Sequence, residues 1–156
     1  MTSGERAPLP HLVVALETLP PDGLERPLNL GPRDLAALVT VTGEEPPAFV
    51  TDLAGVLRLR RLGSRLEVRG AFQVGVTLAC DRCLAEAEAA LTGEIEECLT
   101  LDEDLAVTEG RVDLSGLLAE SFWLAWPYRF FCRPDCAGLC LVCGADLNLG
   151  PCTCKS

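Results

Sequence analysis

The chain has 156 residues, 49% of them hydrophobic and 23% charged, which suits one domain or one domain with a small appendage. Aromatic residues make up only 5%, so a core must come largely from Leu, Val and Ala. A formal net charge of −10 argues against nonspecific binding along a phosphate backbone.

The start, Met1-Thr-Ser-Gly-Glu-Arg-Ala-Pro8, lacks the basic-then-apolar order of a signal peptide. Residues 11–19 read as a first strand, and Gly31 to Val39 as a short helix with Pro32 near its start. Gly43 to Pro47 is a loop. From Leu66 the even positions run Leu66, Val68, Gly70, Phe72, Val74, Val76, Leu78 and Cys80, while the odd ones are polar or small. Such period-2 alternation predicts a long strand with one buried and one wet face. Gly70 and Gly75 are where it would bend. Val56 to Leu62 pairs back on it through the turn Gly63-Ser64. A second long strand follows Cys83, with Ala89, Leu91, Ile95, Leu99 and Leu101 on one side. Leu114, Leu117, Leu118, Ser121, Phe122 and Ala125 then recur at helical spacing, behind Asp113 as N-cap and ahead of Pro127. Glu120 interrupts the apolar stretch from Leu114 to Trp126, which is too short to cross a bilayer. Trp123 and Trp126 fall beside the main apolar face and read as packing residues. A soluble, cytoplasmic protein with no membrane and no small-molecule substrate is the expectation.

The nine cysteines carry the chemistry. Eight form close pairs and Cys98 is left over, an ordinary thiol on the polar side of its strand. Disulfides need an oxidising compartment, to which this N-terminus does not lead. Cys140-Leu-Val-Cys143-Gly144 has the form of a zinc knuckle, in which two thiolates flank a tight turn and glycine takes the positive φ that closes it. Zn²⁺ requires four ligands in a tetrahedron, and Cys152-Thr-Cys154, past Asn148-Leu-Gly-Pro151, is the nearest second pair. Cys80-Asp-Arg-Cys83 is another knuckle, at the tip of the long hairpin, and Cys132 with Cys136 remain for it. Two Zn²⁺ sites result, Cys80/Cys83/Cys132/Cys136 and Cys140/Cys143/Cys152/Cys154, with Cys136 and Cys140 able to exchange roles.

Charge is unevenly spread. Arg58, Arg60, Arg61, Arg65 and Arg69 fall on the first hairpin and are candidate contacts for RNA or an acidic partner, or simply a solvated strand face. Glu86 to Glu109 contains nine acidic residues and no Lys or Arg.

Catalysis finds little support. A zinc hydrolase needs three protein ligands and an open position, whereas four thiolates close a site. The single histidine, His11, lies far from any cysteine in sequence. In thiol oxidoreductases C-x-x-C opens a helix, and neither knuckle precedes a convincing one. No Walker-type loop and no dinucleotide fingerprint is present.

Several blocks together resemble the YceD (DUF177) family: Cys80-Asp-Arg-Cys83-Leu84 after a long strand, Asp113-Leu114 with an apolar helix ending at Trp126-Pro127, Cys136-Ala-Gly-Leu-Cys140-Leu-Val-Cys143-Gly144-Ala-Asp-Leu147-Asn148, and Cys152-Thr-Cys154. The resemblance covers residues 45–154 closely and the first forty loosely. It implies a role in large-subunit ribosome biogenesis and 23S ribosomal RNA accumulation, in bacteria and plastids, without established enzymatic activity. It also implies, as partner, precursor ribosomal RNA or a large-subunit ribosomal protein. From the knuckles alone, a zinc-ribbon module in transcription or a thiol redox protein are the competing readings.

The expected architecture is α+β and mainly β, an antiparallel sheet or partly closed barrel with a packed helix and a C-terminal zinc-binding tail. Residues 1–127 would form the β domain, with knuckle 80–83 and a helix at about 114–126. Residues 128–156 would be a zinc-ribbon-like tail packed on the first knuckle.

Overall fold

The structure is a computed structural model that describes residues 9–40, 45–103 and 107–154. Gly43 and Glu44 of the expected loop, and Asp104 of the acidic run, lie outside the described residues. Among the described residues seven strands form two antiparallel sheets and are joined by two α-helices, in the order β1 (Val13–Ala15), β2 (Leu24–Leu30), α1 (Pro32–Val39), β3 (Leu53–Leu62), β4 (Arg65–Ala79), β5 (Glu86–Thr100), β6 (Val107–Thr108), β7 (Arg111–Asp113) and α2 (Ser115–Ala125). The larger sheet runs β2-β3-β4-β5 and the smaller β1-β7-β6. Among the described residues β2 and β5 do not pair with each other, so the sheet stays open and no barrel closes.

Alternation in β4 sets the core. Leu66, Val68, Phe72, Val74, Val76 and Leu78 are buried on one face, where they meet Leu57 and Leu59 of β3 and Leu91 and Ile95 of β5. Each such burial contributes roughly 1.5–3 kcal/mol relative to exposure. Phe72 stands between Gly55 and Gly93 on the neighbouring strands. A Cβ at Gly93 would overlap the Phe72 ring, so only glycine lets the ring lie across the sheet. Helix α2 packs on β5, and α1 packs on α2 and β2.

The structure departs from expectation at the N-terminal end. The strand expected over residues 11–19 is only Val13–Ala15, flanked by 3-10 turns at Pro10–Leu12 and Leu16–Thr18. Its partner is the short β7, so there is no ladder to extend it. Strand β2 carries Leu24, Leu28 and Leu30 toward the core but contains Pro27. It lies at the sheet's edge, where a residue without an N–H is tolerated. Helix α2 starts at Ser115 with Leu114 as N-cap, one residue later than expected. Asp113 still serves the helix start, since its Oδ1 accepts the Ser115 N–H at 2.9 Å. Trp123 and Trp126 form an aromatic cluster with Phe122, and Trp123 Nε1 donates to the Val39 carbonyl at 3.1 Å. No helix among the described residues is long and apolar enough to cross a membrane.

Candidate metal centres

The first knuckle lies at the turn between β4 and β5, the last place where two long strands can hold a loop in one pose. Cys80 N–H donates to the Ala85 carbonyl at 2.8 Å and Leu84 N–H returns to the Cys80 carbonyl at 2.9 Å. Arg82 N–H points at Cys80 Sγ, 3.4 Å away. The second knuckle repeats this pattern. Cys140 N–H donates to Ala145 O at 2.8 Å, Gly144 N–H to Cys140 O at 2.9 Å, and Val142 N–H to Cys140 Sγ at 3.5 Å. The fourth residue after the leading cysteine is left-handed in both, Leu84 with φ 63° and Gly144 with φ 74°.

The chain returns each second pair of cysteines to its knuckle. Asp81 N–H donates to the Phe130 carbonyl at 2.8 Å, and Phe130 N–H donates to Asp81 Oδ2 at 2.6 Å. The Arg82 guanidinium lies over the Phe131 ring, 4.1 Å from its centre, and donates to the carbonyls of Pro134 and Cys136 at 3.3 and 3.2 Å. Cys132 and Cys136 are thereby brought to Cys80 and Cys83. Across that group the sulfurs of Cys80 and Cys136 are 3.8 Å apart, and those of Cys83 and Cys132 are 3.7 Å apart. In the second group Cys140 and Cys152 stand at 3.5 Å. All four sulfurs of each group lie within 4.8 Å of one another.

These distances test what the groups can hold. All nine cysteines are free, and a disulfide would require a separation of about 2.0 Å. Four sulfurs at about 2.3 Å from one tetrahedral ion stand about 3.8 Å apart. The donor set therefore fits a thiophilic metal ion in each group.

Electrostatics point the same way. Burial pushes the Cys80 thiol up, but N–H groups of Cys132, Cys83 and Arg82 outweigh it and hold the thiol at about 6. The N–H groups of Cys143 and Val142, with the Cys152 thiol, hold Cys140 at about 6. Cys132 is pushed up to about 12 by burial and by the Cys136, Cys83 and Cys80 thiols beside it. Cys152 is raised chiefly by Cys140, and Cys154 chiefly by Cys143. One thiolate forms readily in each group, and the raised thiols of Cys132, Cys152 and Cys154 would need a cation beside them to ionise.

The arginines are placed elsewhere. Arg58, Arg60, Arg65 and Arg69 share the outer, solvent-facing side of β3 and β4, while Arg61 faces the other way at the hairpin's end. Arg58 pairs with Glu25 at 3.0 Å, and Arg69 with Glu67 and Glu96 at 2.8 and 3.3 Å. Arg61 Nε donates to the Gly63 carbonyl at 3.2 Å. Among the described residues Arg60, Arg61 and Arg65 make no ion pair. Arg60, Arg61 and Arg65 and the first knuckle sit at opposite ends of β4. Cys98 is exposed on β5 beyond reach of either group, and His11 is exposed.

A family model described as large ribosomal RNA subunit accumulation protein YceD matches residues 68–156. The chain belongs to the YceD family. Both cysteine groups fall within the matched stretch, whereas β2, β3 and the arginines before Val68 precede it. Among relatives, an uncharacterized protein of Mycobacterium tuberculosis is 29% identical over 106 residues, covering 61% of this chain and 51% of that protein. One of Mycobacterium leprae is 26% identical over 106 residues, covering 61% and 49%. The maize protein named large ribosomal RNA subunit accumulation protein YCED homolog 1, chloroplastic, is 27% identical over 175 aligned positions, covering 86% of this chain and 58% of the maize protein. This YceD-family chain thus spans about half the length of its mycobacterial relatives. No solved structure gives a significant match.

Spacing alone did not reveal Asp81, Arg82 and Asn148, although they tie the two halves of the metal region together. Their partners lie in other loops, and only the folded chain shows them. Leu84 was legible in principle, being the counterpart of Gly144 four residues after its cysteine.

Proposed function

We propose that this YceD-family chain is a non-enzymatic factor for large ribosomal subunit biogenesis that promotes 23S ribosomal RNA accumulation, with two structural Zn²⁺ ions held by cysteine. The observation that carries the reading is a pair of four-sulfur groups inside the stretch that matches the family. Four thiolates fill a tetrahedral ion's coordination sphere and leave no position for a substrate, so such an ion serves the fold. All-sulfur tetrahedral coordination favours zinc over harder cations. Residues 1–127 act in this reading as the β domain, and residues 128–156 as a tail that the ions hold to the first knuckle.

The partner is precursor ribosomal RNA or a large-subunit ribosomal protein. Arg60 and Arg65, without ion pairs among the described residues, are the arginines of the outer face best able to meet phosphate; Arg58 and Arg69 would first have to leave their carboxylates. Reversing Arg60 and Arg65 to Glu is expected to abolish RNA crosslinking. Unchanged crosslinking would favour a basic ribosomal protein held by the acidic strand β5 instead.

The reading as a whole is tested by depleting the protein and sedimenting ribosomal particles through sucrose. Reduced 50S particles and 23S ribosomal RNA are expected, while normal levels of both under all growth conditions would refute it. Metal analysis of freshly purified, reduced protein should find about two zinc per chain, with sulfur-only coordination by X-ray absorption.

A further inference from the structure

The sulfur of Cys136 belongs to the first group, yet the N–H that reaches it comes from the second. Asn148 lies between Cys143 and Cys152 in sequence, inside the loop that the second group closes. Its Nδ2 donates to Cys136 Sγ at 3.5 Å and to Asp146 Oδ1 at 2.8 Å. Its Oδ1 accepts the Ala137 N–H at 2.8 Å and Arg133 Nη2 at 2.7 Å, and its own N–H donates to Asp146 Oδ1 at 2.9 Å. These partners dictate the amide's orientation. Two donors face its oxygen, and a carboxylate and a sulfur face its nitrogen, so a flipped amide would clash on both sides.

Backbone contacts reinforce the junction. Leu139 N–H donates to the Arg82 carbonyl at 3.0 Å, and Leu147 N–H to the Gly138 carbonyl at 2.9 Å. Gly138 has φ 77° and packs against Arg82, where a Cβ would stand 3.1 Å from the Arg82 carbonyl oxygen. The loop bearing Asn148 is thus seated on the first knuckle at several points, and Asn148 is the residue whose side-chain N–H reaches a sulfur there.

We propose that Asn148 is a positioning residue that couples the two metal sites, so that an ion in either group tightens the other. The inference rests on the reading that both groups hold a metal ion. An ion bound by Cys140, Cys143, Cys152 and Cys154 closes the loop and fixes Asn148. Asn148 then aims Cys136 Sγ and offsets part of its charge as a thiolate. Outer-shell partners of this kind typically change metal affinity by about 10–100-fold. Coupling of two binding equilibria is reciprocal, so an ion in the first group must favour the second by the same factor.

The test uses the full chain titrated with Co²⁺ against a competing chelator and read by the sulfur-to-cobalt charge-transfer bands. Cys143→Ser disables the second group and reports on the first; Cys83→Ser does the converse. Asn148→Asp keeps the oxygen that Ala137 and Arg133 need but sets a charged oxygen, in place of the N–H, against Cys136 and Asp146. The neutral Asn148→Ala is therefore measured beside it, and a loss counts for the coupling only where both variants show it. The first group is expected to lose about tenfold or more in affinity in Asn148→Asp, and a similar factor in Cys143→Ser. The double variant Cys143→Ser/Asn148→Asp should fall no further than Cys143→Ser alone. The charge-transfer band of the first group should also move to lower energy in Asn148→Asp, a change that general loosening of the tail would not produce. Unaltered affinity and band energy in Asn148→Asp would overturn the coupling, as would losses that multiply in the double variant. A wild-type chain that takes up two ions independently overturns the coupling alone, and one that takes up none overturns the metal reading with it.

Discussion

The two knuckles are nearly the same object placed in different surroundings. Each has a backbone bond from the leading cysteine to the fifth residue on, a return bond from the fourth, an N–H aimed at the first sulfur, and a left-handed fourth residue. The first is carried by two fifteen-residue strands, and Cys80, Cys83 and Cys136 are buried. The second has Cys143 exposed, and Leu141 and Val142 project into solvent. The knuckle's shape is therefore a local property of a short turn, whereas its stability is set by what surrounds it. In the first group the sheet supplies that support. The second has its own turn, the Leu139–Arg82 contact and Asn148.

The sharpest way to break this comparison is to remove the metal. Apparent folding free energies of structural zinc reach about 10–16 kcal/mol in isolated zinc-finger peptides, more than the tail's few buried side chains can replace. Chelation is expected to unfold residues 128–154 while the four-stranded sheet persists, and the second group should release its ion first. Hydrogen exchange resolved along the sequence checks this, with protection lost in the tail and kept in β3 to β5. Protection lost from the sheet at the same chelator concentration would show that the two regions are not separable.

The converse experiment weakens the β domain and leaves the tail alone. Phe122 is fully buried and packs against Phe49, Trp123 and Trp126. Phe122→Ala should cost about 3–5 kcal/mol, read as a lower urea midpoint. Both tetrads should keep their ions below that midpoint, since the apolar side chains packed on the first are Phe131 and Leu139, outside α2. Metal loss that precedes unfolding in this variant would place the first group under the control of the helix.

The same comparison explains what the sequence could disclose. Long-range alternation in Leu66 to Cys80 and in Ala89 to Leu101 exposed the central hairpin, because one face of each strand is buried along much of its length. The knuckles were legible because their geometry is local. The edge strand β2 was obscured by Pro27, and the small sheet by strands of two or three residues, too short for any period. The YceD resemblance extended from residue 45, whereas the family match starts at Val68, so the arginine hairpin is only partly covered by it. The side chains of Asp81, Arg82 and Asn148 reach partners in other loops 11 to 54 residues away, which no local pattern encodes.

The smallest predicted effect isolates the turn itself. Leu84 and Gly144 occupy equivalent left-handed positions, where a residue with a Cβ pays about 1–2 kcal/mol. A Cβ at Gly144 would meet nothing within 4 Å, so Gly144→Ala introduces backbone strain without a steric clash. It should weaken metal retention in the second group by about 1 kcal/mol, roughly fivefold. Leu84 is 67% exposed and gives up little packing, so Leu84→Gly should relieve strain at the first knuckle, offset in part by the greater freedom of glycine in the unfolded chain. The net gain there is at most about 1 kcal/mol. Chelator competition on each variant reads both values. Opposite signs at the two positions would show that both turns obey one backbone rule. A loss at Leu84 would mean that the sheet-borne knuckle uses that side chain, and that its likeness to the second knuckle ends at the backbone.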